Sequence, residues 1–194
     1  FDGGGNPFFS TNDQAFNKIK VSKSLGSRIT VAGELKGHDK LTLESGELNM
    51  NGNKLTLKSG SQPNINYHDF EKTGGVFDGT NGTFVSGDLI LKNGTTTLSS
   101  GISSVIGNVN IKSNNNFNHN SGKISIGCQS CSVTSSGKSF YDFTVGFFST
   151  VNLNDNLSVH NLDFADPPPE QTYGTLNTNS NTPSILPPHI TKLS

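Results

Sequence analysis

Two cysteines, Cys128 and Cys131, stand three positions apart in the stretch GCQSC. A thiol redox motif with this spacing needs a strand-to-helix setting, and the surrounding stretch is β-rich. A zinc site needs four ligands, and no second cysteine pair exists; His119 is the only nearby histidine. Haem attachment needs a histidine directly after the second cysteine, where Ser132 stands. What remains is a local structural disulfide across a turn, or two buried thiols, with the disulfide favoured in an exported protein. A loop this short gains little from closure, so such a bond would fix one turn.

His38, His68, His119, His160 and His189 are scattered, and none has a partner at catalytic spacing. Among the carboxylates, Asp69/Glu71 and Asp163/Asp166 are the closest pairs. No catalytic residue, metal ligand or cofactor site is assigned, and the chain is not expected to be an enzyme. Asn81, Asn93 and Asn156 each open an Asn-x-Thr/Ser sequon. They read as turn residues first, and as glycosylation sites where the source cell glycosylates exported protein. Thr95, Thr96 and Thr97 form a run, but no Thr-x-Thr recurs at constant spacing, as an ice-binding ladder would require.

The elements that position these residues follow from the stretch LTLESGELNMNGNKLTLKSG. Leu41, Leu48 and Leu55 recur every seven residues, each with an apolar partner two residues on: Leu43, Met50 and Leu57. Coiled-coil heptads space their apolar pairs three and four apart. A spacing of two puts both on one face of an extended chain. A helix would also have to hold Gly46, Gly52 and Gly60, at about 1 kcal/mol each. The unit is therefore a strand of three or four residues followed by a turn, with Asn51-Gly52 suited to positive φ. Similar pairs recur at Leu89/Leu91, Val109/Ile111, Ile124/Ile126, Val151/Leu153 and Leu157/Val159. Repetition of this kind predicts a β-solenoid, with three short sides making a coil of roughly 21 residues. Seven or so coils, stacked in parallel at about 4.8 Å, give a rod on the order of 35 Å long. Leu41, Leu43, Leu48, Met50, Leu55, Leu57, Leu89, Leu91, Ile124, Ile126, Val151 and Leu153 are the expected core. An antiparallel β-sandwich of short strands is the alternative.

Composition narrows the partners. The formal charge is −1, Arg28 is the only arginine, and the lysines form no stripe, so no nucleic-acid partner is expected. No apolar run approaches the roughly 20 residues of a membrane span. Charged residues make up 15%, against about 25% in ordinary soluble domains. Asn, Ser, Thr and Gly replace them, as in extracellular β proteins. Phe1 opens the chain abruptly, which reads as a processed start or a cut fragment.

The chain divides into an N-terminal cap or arm (1–18), a β-repeat domain (19–164) and a Pro-rich extended arm or linker (165–194). Residues 61–75, with Pro63, Tyr67, His68 and Asp69, read as a loop interrupting the repeat. Pro167, Pro168 and Pro169 stiffen the start of the C-terminal segment. Phe1, Phe8 and Phe9 at one end, with Ile185, Leu186, Ile190 and Leu193 at the other, are the expected subunit contacts.

The stretch 117–164 opens with Phe117, His119, Ser121 and Gly122, continues through SFYDFTV (139–145) and closes with TVNLNDNLSV (150–159). It resembles repeat segments of large secreted bacterial β-strand-repeat surface proteins, and GELNMNGNKLTLKSG is similar to another of their units. The likeness spans about residues 40–164. It implies a surface-exposed, non-catalytic module of adhesins or extracellular scaffolds, and transfers no functional residues. The reading is an extracellular or cell-surface structural protein that self-associates into a fibre or surface layer. An adhesin module binding glycans is the alternative, and a carbohydrate-active enzyme ranks last.

Overall fold

The computed structural model describes residues 1–11, 14–60, 65–169 and 172–185. The described chain is all-β and winds into a solenoid of about eight turns with three faces. Each full coil lays one short strand on the first face, one on the second and one on the third. The first face stacks nine strands, from Asp2–Gly3 through Ile19–Lys23 and Leu41–Ser45 to Thr175–Asn177. The second stacks six, from Phe8–Phe9 to Asn115–Asn118. The third runs from Ala15–Phe16 to Ser184–Ile185. Stacking is parallel throughout the three faces, which excludes the sandwich. The antiparallel pair among the described residues is Asn66–Tyr67 on Lys58 and Ser59. At about 4.8 Å per strand the stack is on the order of 40 Å long.

The seven-residue period is one face. Leu41, Leu48 and Leu55 lie on the first, second and third faces of a single coil. All twelve residues expected in the core are at most 2% exposed. In the next coil Phe70, Phe77 and Phe84 take the same places, with ring centroids 4.8, 5.6 and 6.1 Å apart. Three phenylalanines crowd the axis, and the coil stacked on them answers with small residues. Thr96 pairs in register with Phe77, and Ser103 with Phe84; both are fully buried.

This places a boundary differently from the sequence reading. The interruption expected over 61–75 ends at Asp69, because Phe70–Lys72 is a regular first-face strand, paired with Leu41–Ser45 below and Leu89–Leu91 above. Burial of Phe70 draws the chain back to the axis. The extra residues lengthen one coil, so that Leu41 pairs with Phe70 at a 29-residue separation while Phe70 and Leu89 pair at 19.

Turns are fixed by backbone crowding. Gly46, Gly75 and Gly94 stack at the corner between first and second faces, with φ of 75°, 68° and 75°. A Cβ on Gly75 would sit 2.4 Å from the Gly46 carbonyl oxygen, and one on Gly94 still closer to that of Gly75. Asn51 and Gly52 both have positive φ, 49° and 76°, as an Asn-Gly turn requires. The corner between third and first faces carries a hydrogen-bonded column. Asp69 Oδ1 accepts the Asp88 N–H (3.0 Å), Asp88 Oδ1 that of Asn108 (2.7 Å), and Asn108 Oδ1 that of Ser132 (2.9 Å).

Two measurements probe this packing. Leu55→Ala is expected to cost about 2–5 kcal/mol in urea unfolding; a near-neutral result would mean that the axis is not packed as described. Gly75→Ala combines positive φ with backbone collision and should cost at least about 2 kcal/mol. Gly137 has φ 76° and open space around its Cβ position, so Gly137→Ala should cost only about 1 kcal/mol.

Candidate functional site

Of the residues expected to contact other subunits, Phe1, Phe8, Phe9 and Ile185 lie at the two ends of the rod. At the N-terminal end the strands Asp2–Gly3, Phe8–Phe9 and Ala15–Phe16 form the outermost coil, one per face. Phe9 packs edge to face with Phe1 and tilted against Phe16, with ring centroids 4.6 and 5.3 Å away. The Phe1 ammonium donates to the Lys20 carbonyl at 2.7 Å, and the Lys23 ammonium reaches the Gly4 carbonyl at 2.9 Å. Phe8 is 77% exposed and Phe1 47%. This end therefore offers strand edges beside exposed aromatic surface.

At the other end the chain returns to its own rod. Thr175–Asn177 pairs with Thr150, Val151 and Asn152, and Ser184–Ile185 with Ser158 and Val159. The Asn181 amide donates to the Leu153 carbonyl at 2.8 Å, and Leu176 packs against the core. An arm leaving the rod was expected over 165–194, yet residues 175–177 and 184–185 belong to the stack. Pairing satisfies backbone groups that the preceding coil would otherwise leave unpaired. Pro167, Pro168 and Pro169 lie between strands. The backbone of Ile185 pairs as described, while Leu186, Ile190 and Leu193 lie outside the described residues.

Cys128 and Cys131 are joined by a disulfide, with their Cα atoms 6.0 Å apart. Cys131 faces the core and the bond pins the turn between third and first faces. Asn81, Asn93 and Asn156 are exposed. Each Oδ1 also serves a turn, accepting from the Ser100 hydroxyl and from the Gly94 and Thr182 N–H groups respectively.

Carboxylates that the sequence left scattered have structural partners. Glu71 lies between Lys40 and Lys92, whose hydrogen bonds hold its carboxyl below the usual range. Asp166 accepts the Tyr173 hydroxyl at 3.3 Å. Among the described residues no three His, Cys, Asp or Glu side chains could hold a metal ion. No helix among them is long and apolar enough to cross a membrane. The rod does bring two distant histidines to one face: His119 and His160 flank the Tyr141 ring, with centroids 5.7 and 4.6 Å away. Burial, then the charge of His160, lowers the pKa of His119.

Sequence reasoning missed Lys72. It stands in the column between Leu43 and Leu91 and is fully buried. Its ammonium donates to the Asn93 carbonyl, which also accepts from Asn115 Nδ2 at 3.1 Å. The period-two pairing of Phe70 with Lys72 was the available signal. Burial pushes the Lys72 pKa down to about 8.

The chain matches no family model, no curated protein and no solved structure.

Lys72 sets a pH dependence. Its folded pKa, about 8, lies below the 10.5 of an exposed lysine. Its charged form therefore costs about 3 kcal/mol below pH 8, and that cost vanishes as pH rises to 10.5. Lys72→Met should be more stable than the parent at pH 7, and the gap should close between pH 8 and 10.5 in urea titrations. A gap independent of pH across this range would show that burial does not lower the Lys72 pKa.

Proposed function

We propose that this chain is an extracellular structural module, a subunit of a fibre or surface layer whose rods stack end to end. The supporting observation is that the terminal coils present strands on matching faces. Asp2–Gly3 and Thr175–Asn177 end the first face; Ala15–Phe16 and Ser184–Ile185 end the third. The last coil of one copy can thus receive the first coil of the next in the parallel sense used within the rod. Such a contact is heterologous and, without closure, propagates as a filament. The terminal strands, two or three residues long, expose little edge. Exposed Phe1 and Phe8 supply apolar area that water disfavours.

An extracellular setting agrees with the low charge, the Asn-, Ser- and Thr-rich surface and the disulfide. Rigidity follows from continuity, since each coil is bonded to the next on at least two faces.

Negative-stain microscopy and sedimentation of the purified chain test the reading. Filaments or end-to-end oligomers are expected at high concentration. Phe8→Asp should leave a β-rich folded protein that no longer assembles. A full-length chain that stays monomeric at high concentration would overturn the proposal, as would unchanged fibres from this variant.

A further inference from the structure

Turns at the corner between second and third faces follow Asn49, Asp78 and Asn118, which stand in register through the stack. After Asn49 the turn is Asn51-Gly52, with φ of 49° and 76°; after Asn118 it is Asn120-Ser121, with φ of 51° and 53°. Ser121 thus occupies the place where glycine carries positive φ without steric cost. Two consecutive residues with side chains are held left-handed there, which L residues resist.

Side chains hold this turn closed. Asn118 Oδ1 accepts the Asn120 N–H at 2.9 Å, and the Asn120 side-chain amide donates to the Leu98 carbonyl of the coil below at 3.2 Å. The Ser121 N–H donates to Nδ1 of His119 at 3.0 Å. An imidazole nitrogen accepts only when it carries no proton, so this bond requires neutral His119 with its hydrogen on Nε2. The strand that the turn ends, Asn115–Asn118, is the outermost of the second face and pairs with Gly94–Thr97 on one side. Among the described residues no strand pairs with its other side.

The surroundings of His119 disfavour its charged form. Tyr141 lies against the His119 ring, and His160 lies flat on Tyr141, with centroids 5.7 and 4.6 Å away. Beside Tyr141, Asp142 accepts Asn161 Nδ2 at 2.6 Å. Lys123 opens the strand that leaves the turn, and the corner below, 98–101, holds no titratable side chain. Burial of His119, then the charge of His160, both act against the imidazolium.

We propose that this turn is an acid-released catch on the free edge of the second face. A proton taken up at Nδ1 converts the acceptor into a donor, and two N–H groups then face each other. The Ser121 bond breaks, the left-handed pair 120–121 loses one of its local holds, and the end of the edge strand loosens with it. The folded pKa of His119 lies below the ordinary 6.5. The closed turn is therefore fully favoured above that pH and loses ground as pH falls through the folded value. The catch sits on the side of the rod, so it acts whether or not the rods stack.

Amide exchange with solvent, followed by NMR on the full chain at about pH 7.5 and about pH 5, tests the proposal. The Asn120 amide is the internal reference, because its acceptor, Asn118, does not titrate. The ratio of Ser121 to Asn120 exchange should rise several-fold in acid, and the imidazole nitrogen shifts should show Nδ1 of His119 unprotonated at neutral pH. His119→Asn keeps an acceptor two residues before Ser121, as Asn118 does for Asn120, and cannot titrate; in this variant the rise should vanish. His119→Ala should leave the Ser121 amide exchanging fast at both pH values. Circular dichroism and melting temperature establish that both variants are folded. The proposal is overturned if the ratio does not rise in acid, if it still rises in His119→Asn, if the amide stays slow in His119→Ala, or if Nδ1 carries the proton at neutral pH.

Discussion

Everything in this rod depends on the width of its interior. Where a coil has all three faces, each sends an apolar side chain to a common axis, and the backbones cannot move apart without breaking their ladder to the coils above and below. Volume at the axis is therefore conserved from coil to coil. Three leucines fill one level, three phenylalanines the next, and the level after that accommodates them with Thr96 and Ser103. The Thr96 and Ser103 hydroxyls are buried without hydrogen-bond partners, a cost usually on the order of 1–3 kcal/mol each. A larger apolar residue there would collide with Phe77 or Phe84. Packing outweighs polar satisfaction at this point because interiors this dense do not yield to extra atoms.

The corners carry the second constraint. A chain turning every few residues leaves backbone groups with no strand partner, and each corner satisfies them differently. Between first and second faces, glycines bring successive backbones close enough to bond directly, as in Val76 N–H to the Gly46 carbonyl at 2.8 Å. Between third and first, the side chains of Asp69, Asp88 and Asn108 reach the coil above. Asn53 and Asn120 instead donate to carbonyls of the coil below, those of Val31 and Leu98. The abundance of Asn, Asp, Ser and Gly is thus largely a consequence of how many corners the chain turns. Lys72 and Lys23 extend the same device to ammonium groups that donate to corner carbonyls.

These demands separate the surface from the core. Outward positions carry no packing load, so their chemistry is free to vary along a face. On the second face the outward rows read Arg28, Glu47, Val76, Thr95, Asn116 and Thr30, Asn49, Asp78, Thr97, Asn118. Such mixed rows present no repeating lattice of hydroxyls. On the third face the same freedom gathers Lys36, Lys54 and Lys58 around Glu34.

The sequence by itself determined the short strands and their inward residues, because the alternation of Leu41 with Leu43 and the step to Leu48 and Leu55 are local consequences of strand geometry and turn length; the choice of solenoid over sandwich came from the parallel stacking of the coils. It also marked the cysteine pair, since the partners are three residues apart. It did not determine which residues meet across coils, because coil length varies and a 29-residue coil follows others of about 20. Pairings such as Thr96 with Phe77, or the approach of His119 to His160 around Tyr141, exist only once each coil has settled in register. The residues inserted before Phe70 and Lys72 break the count and place both in a loop when the sequence is read locally, although Phe70, Phe77 and Phe84 resume it. The fate of the segment after the prolines was likewise tertiary. Local stiffness favours an arm, but the unpaired strand edges of the preceding coil draw residues 175–177 and 184–185 back onto the rod.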